Sequence, residues 1–190
     1  MKIKDEHKRQ QILAATARII IREGAAAVST TKVAKRVGIG QSSLYTYFAN
    51  KQALLVAVFN CEQQKLVQLA IAAGVNDTAQ SVKQRLISYV QVLTDFAVSN
   101  PDSLALIEQI KFLPDFNGPN LNDPANPVVQ LFQAGIEAGL LQSIDVSLYI
   151  AAVFAVARRH GENIRQGQYP ANQISTAQIL HLVLGANFNN

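Results

Sequence analysis

Between Gln41 and Tyr47 the chain reads QSSLYTY, and every side chain there except Leu44 carries a hydrogen-bonding group: Gln41, Ser42, Ser43, Tyr45, Thr46 and Tyr47. Polar, short or hydroxylated groups in such a row can reach phosphate oxygens and base edges. They are useful for that only if the chain holds them on one short, firmly anchored helix.

The flanking sequence supplies the anchor. In Ser29 to Leu54, Val33, Ala34 and Val37 are apolar at helical spacing, and Gly38 follows where a helix must stop. After Ile39-Gly40 a second helix is expected from Gln41 to about Tyr47. Glycines supply the backbone angles that a tight turn between crossing helices requires. Ala34 is small where the helices cross, and Val37, Ile39 and Leu44 are expected to hold them together.

A helical hairpin in an all-α core would share this pattern, and charge shifts the balance. Residues 1–51 hold ten Lys and Arg against three Asp and Glu, a net of +7, whereas residues 52–190 hold seven against ten, a net of −3. A basic head on a mildly acidic body is the footprint expected of a chain that presents one end to a polyanion. Ser29 or Thr30 can cap the first short helix and Asn50 the long one, yet Lys32 and Lys51 lie just inside those starts. The helix dipole disfavours a cation there by roughly 0.3–1 kcal/mol. A docked phosphate would reverse the sign, and solvated lysines are the equal alternative.

The run KVAKRVGIGQSSLYTYFANKQALL resembles the DNA-binding signature of the TetR family of bacterial regulators. The match rests on Val33-Ala34, Gly38-Ile39, Ser43 to Phe48, and Asn50-Lys51 before Ala53-Leu54. It spans residues 8 to 60. The resemblance implies a recognition helix at Gln41–Tyr47 in the major groove, with Thr30, Thr31, Tyr47 and Lys51 on phosphates and Lys32 beside them. Gly40 stands where the family often has serine, and Gln41 where a lysine or arginine is frequent. One phosphate contact is then missing and Gln41 is free to read a base edge, for which the adenine pairing of glutamine is available.

Length and composition agree with a folded protein. Of 190 residues, 49% are apolar and 16% charged, with a mean hydropathy of +0.11. The N-terminus, MKIKDEHKRQQ, is not an ordinary signal peptide. Cys61 is the only cysteine, which leaves no internal disulfide and no cysteine metal cluster, so the cytoplasm is the expected location.

Helical periodicity runs through the chain, and no alternating strand pattern is found. The expected fold is all-α: a three-helix helix-turn-helix DNA-binding domain over residues 1–50, joined by a long helix to a helical ligand-binding and dimerisation domain over residues 51–190. Helices are expected at residues 5–23, 51–73, 79–99, 102–113, 127–141, 145–167 and 173–185, besides the two short ones. The long helix from Lys51 is the natural lever on the recognition helix. Leu113 to Pro127 holds four of the six prolines and is read as a long loop.

The last two helices carry wide apolar faces. Ile150, Val153, Ala157 and Ile164, with Ile179, Leu180 and Val183, are candidates for a four-helix dimer interface, an arrangement the resemblance also implies; closing the monomer core is the alternative. A two-fold dimer would face a palindromic operator. Phe59, Tyr89, Phe96, Phe112, Phe116, Phe132 and Phe154, with Arg158, are candidates for lining a cavity that the resemblance implies for a small-molecule ligand. Aromatic residues at helical spacing more often form plain core. Arg158-Arg159-His160 interrupts an apolar helix and is expected to face a dimer partner or solvent before an acidic ligand.

No HxxxH, CxxC or HExxH spacing, phosphate loop or GxSxG turn is present, so no metal, cofactor or catalytic residue is assigned and no enzyme is expected. The leading reading is a dimeric, ligand-responsive regulator of transcription, a repressor released from its operator by a small molecule. A helical small-molecule-binding protein or enzyme with an incidental basic head is the alternative.

Overall fold

The computed structural model describes residues 2–118 and 123–188, with side chains from Glu6 onward. Among these residues the chain is helical, without strands: α1 (Lys2–Glu23), a 3-10 turn (Ala25–Ala27), α2 (Thr30–Val37), α3 (Gln41–Tyr45), α4 (Lys51–Ala72), α5 (Val82–Ser99), α6 (Pro101–Lys111), α7 (Pro127–Glu137), α8 (Val146–Arg165), α9 (Thr176–Leu184) and a closing 3-10 turn (Ala186–Phe188). Every expected helix is present, and the all-α fold holds. Four residues of the expected 113–127 loop, 119–122, lie outside the described residues. No described helix is long and apolar enough to cross a membrane.

Cap chemistry sets the boundaries. Ser29, Ser81 and Ser175 each accept a backbone N–H three residues on, at the starts of α2, α5 and α9, and Asn126 and Asp145 do so two residues on for α7 and α8. Ser81 thereby starts α5 at Val82, later than the expected residue 79, because its side chain takes up the Gln84 N–H. Asn126 is followed by Pro127, whose missing N–H costs nothing at a first helical position.

The chain divides into two compact units: Met1–Gln64 with Asp102–Pro119, and Lys65–Pro101 with Asn120–Asn190. In the first, Ile12, Ile19 and Ile20 of α1 are buried together with Val33, Ala34, Leu44, Leu54 and Leu55. The head thus closes its core around the stripe its periodicity marks. Ser103 of α6 donates to the buried Glu62 carboxylate of α4, and the rings of Phe59 and Phe116 meet at 5.0 Å.

In the second unit α5 packs against α7, α8 and α9, and α8 packs against α7 and α9. Gly161 makes the α5–α8 approach possible, since a Cβ there would stand 2.2 Å from the Ala97 carbonyl oxygen. Tyr89, Phe132 and Tyr149 form a row, Phe132 edge-on to Tyr89 at 5.8 Å and stacked on Tyr149 at 5.9 Å. Burial pushes the Tyr89 phenol well above its ordinary range.

Candidate nucleic-acid interface

The turn between α2 and α3 follows from Gly38, whose φ of 72° is left-handed and costs glycine nothing. Its N–H closes α2 on the carbonyls of Ala34 and Lys35, and the chain leaves in a direction that lets α3 cross. Leu44, with no exposed surface, pins α3 to the head. Everything else on α3 faces outward: Gln41, Ser42, Ser43 and Tyr45 are exposed. The helix ends at Tyr45, two residues before the expected Tyr47, because the Thr46 hydroxyl turns back to the Ser43 carbonyl at 2.7 Å. Thr46 remains exposed and Tyr47 half-buried.

The two short helices are tied by side chains. Gln41 Nε2 donates to Thr30 Oγ1 at 3.2 Å and to the Tyr45 phenol oxygen at 3.3 Å, and those two hydroxyl oxygens lie 3.3 Å apart. Thr30, Gln41 and Tyr45 thus form a closed triangle at the mouth of the α2–α3 angle. Hydrogen bonds from Thr30 and Gln41 hold the phenol of Tyr45 below its ordinary range. Thr31 is exposed beside it on α2.

Both lysines at helix starts are turned to the chain itself. The Lys32 ammonium lies 2.8 Å from the Glu23 carboxylate and donates to the Ala27 carbonyl at 3.3 Å; the hydrogen bond and charge of Lys32 hold the Glu23 carboxyl below the usual carboxylate range. Lys51 donates to the Ala26 carbonyl at 3.1 Å. The two cations therefore meet consecutive carbonyls of one 3-10 turn, an arrangement that sequence reasoning missed, since no helical periodicity links residues five or twenty-five apart. Lys35 and Arg36 stay exposed on the last turn of α2. Near the start of α1, Arg9 lies over the Phe48 ring at 5.4 Å.

The other candidates fall differently. Phe59, Phe112 and Phe116 belong to the first unit, with Phe112 73% exposed, whereas Tyr89, Phe96, Phe132, Phe154 and Arg158 belong to the second. A cleft of about 610 Å³ in the second unit is lined by other residues, among them Val129, Gln133, Glu137, Ile144 and Asp145. Of the seven residues expected at a dimer interface, Val153, Ala157, Ile179, Leu180 and Val183 are buried within the chain, and Ile150 and Ile164 are half-buried. The same two helices leave Leu148 59% and Leu182 70% exposed. Among the described residues no group of three or more His, Cys, Asp or Glu could hold a metal ion.

Residues 12–58 match the family of bacterial regulatory proteins called the tetR family. A chain of known structure from Lactobacillus plantarum, assigned as a transcription regulator, is 38% identical, with a TM-score of 0.78 over 92% of this chain and 95% of that one. A TetR family transcription regulator from Marinobacter aquaeolei VT8 shares the fold at 20% identity, with a TM-score of 0.80 over 99% of this chain and 97% of that one. Among named relatives, the nucleoid occlusion factor SlmA of Vibrio cholerae is 28% identical over 72% of this chain, and that of Haemophilus influenzae 29% identical over 50%. The matches span 66% and 44% of those relatives' own lengths. With its helix-turn-helix head, its outward polar second helix and these likenesses, the chain belongs to the TetR family and is a DNA-binding transcriptional regulator.

Proposed function

We propose that the chain is a cytoplasmic, homodimeric repressor that holds a palindromic operator and leaves it when a small molecule binds the helical body. The observation that carries the DNA half of this reading is the exposed polar face of α3, fixed to a basic head by Leu44 and Gly38. Gln41, Ser42, Ser43, Tyr45 and Thr46 face the major groove, and Thr30, Thr31, Lys32, Tyr47 and Lys51 serve the backbone. Lys32 and Lys51 exchange Glu23 and the turn carbonyls for phosphates on docking. Residues 1–50 form the DNA-binding domain and residues 51–190 the domain for ligand and dimer.

Exposed Leu148 and Leu182 support a two-chain interface on α8 and α9. Ile150 and Ile164 flank it, and the buried Val153, Ala157, Ile179, Leu180 and Val183 give that face its rigid backing. The ligand binds in the second unit, and the cleft along α7 supports a site there. Tyr89, Phe96, Phe132, Phe154 and Arg158 lie in the same unit and are the proposed ligand contacts there, while Phe59, Phe112 and Phe116 belong to the first unit. Because α4 is one continuous helix with residues in both units, a ligand that prefers one position of α4 shifts the population away from the DNA-binding state.

Selection of genomic fragments by the purified protein tests the reading. Recovery of one palindromic site, bound by two chains per duplex, is the expected result; fragments with no shared sequence would overturn it. The relatives named nucleoid occlusion factor favour a second reading, in which bound DNA serves nucleoid occlusion. Many sites scattered over the chromosome, with no change in neighbouring transcripts on deletion, would select that reading.

A further inference from the structure

The triangle of Thr30, Gln41 and Tyr45 bears on which base the operator carries. A glutamine that pairs with adenine bidentately needs both ends of its carboxamide, the N–H for N7 and the oxygen for the N6 amino group. Here the nitrogen end is anchored at two hydroxyl oxygens, 3.2 and 3.3 Å away, and Oε1 is the carboxamide atom with no hydrogen-bond partner among the described residues. The anchor is firm because its members come from two helices locked at Leu44 and because the hydroxyls, 3.3 Å apart, bond each other.

We infer that Thr30 and Tyr45 are positioning residues that hold Gln41 with Oε1 outward, so that the base facing it on the contacted strand carries a major-groove amino group, adenine or cytosine. Guanine offers acceptors at O6 and N7 and thymine an acceptor at O4, so both set oxygen against oxygen. The inference rests on the reading of α3 as the helix that meets base edges. It also divides labour within the triangle. The mutual bond uses one of the two hydroxyl hydrogens, and the other remains for a phosphate oxygen, so one cluster fixes the docking register and the polarity of the reader.

Selection from a random duplex pool by the wild-type protein and by the Gln41→Ala, Tyr45→Phe and Thr30→Val variants tests this, each base profile being normalised within its own variant. Gln41→Ala identifies the position by losing preference there. At that position the wild type is expected to favour adenine and cytosine over guanine about tenfold, the size of one hydrogen bond gained rather than opposed. Tyr45→Phe and Thr30→Val, each of which removes one of the two anchors and frees one amide N–H, are expected to admit guanine at that position alone. Tyr45 is 46% exposed, so its loss of one oxygen leaves the core intact, and the threonine change gives an independent second release. Wild-type selection of guanine or thymine at the Gln41 position, or release variants with an unchanged profile there, would overturn the inference while leaving operator binding in place. Failure of the wild type to enrich any sequence would instead overturn the reading of α3 itself.

Discussion

The Lys32 ammonium sits 2.8 Å from the Glu23 carboxylate, across the turn that separates α1 from α2. A cation that faces a phosphate in the DNA-bound reading is, in the free chain, held by an acid of its own head. Glu23 then competes with DNA for Lys32. The Glu23→Gln variant is expected to bind operator DNA more tightly at low salt, with the slope of log affinity against log salt unchanged, because Lys32 makes the same phosphate contact once docked. A slope steeper by about 0.9, one added phosphate contact, would mean that Lys32 never leaves Glu23 in the parent. Acid has the opposite sign from what stability wants. The pair lowers the folded pKa of Glu23, so its contribution to stability is present above the unfolded value and is lost as pH falls through the folded one.

Leu182 exposes 70% of its surface on α9 and Leu148 59% on α8, helices that pack side by side. A charge at Leu182 leaves the monomer core untouched. Leu182→Glu is therefore expected to give single chains by sedimentation at concentrations where the parent is dimeric, with the same helix content and weaker operator binding. A dimer that survives would place the interface elsewhere.

How much of this could be read in the sequence differs between head and body. In the head, each local rule pointed to one structure: Gly38 could only end α2, Ser29 and Asn50 could cap, and Leu44 was the one apolar residue on an otherwise polar helix. The structure uses all four in those roles. In the body, periodicity told which residues share a face and not which neighbour covers it. Val153 and Ala157 are thus spent on packing within the chain, and the aromatic residues from Phe59 to Phe154 separate into two units. The partners of Lys32 and Lys51 were hidden for a related reason. Backbone carbonyls of a 3-10 turn leave no mark in residue types.

Gly161 shows what a single missing methyl does for the second unit. In an open helix interior glycine to alanine stabilises by roughly 1 kcal/mol, but here the new Cβ would meet the Ala97 carbonyl oxygen at 2.2 Å, and that atom is backbone. Gly161→Ala is expected to reverse the sign and cost about 3 kcal/mol through overpacking, read as a lower urea midpoint. Equal or greater stability would mean that α5 and α8 separate freely.

His160 is 6% exposed, with Nδ1 3.0 Å from the Tyr169 hydroxyl and the two rings stacked at 5.7 Å. Burial holds its pKa below the ordinary 6.5. The unfolded chain then binds a proton that the folded chain refuses, so stability is full above about 6.5 and declines as pH falls toward the folded value. Urea unfolding of the parent is expected to weaken from pH 7 to pH 5.5, and His160→Gln to flatten that part of the dependence. Identical slopes would assign the acid sensitivity to the carboxylates.

The central claim is that the α2–α3 face of this chain binds DNA by sequence. The most direct measurement is the affinity of the purified protein for its selected duplex and for a scrambled duplex of the same composition, between 50 and 200 mM salt. The expected result is at least a thousandfold preference for the selected duplex, together with a fall of roughly 10³–10⁵ in affinity across that range if six to ten phosphates are contacted. Equal affinity for the two duplexes, or binding indifferent to salt, would contradict it.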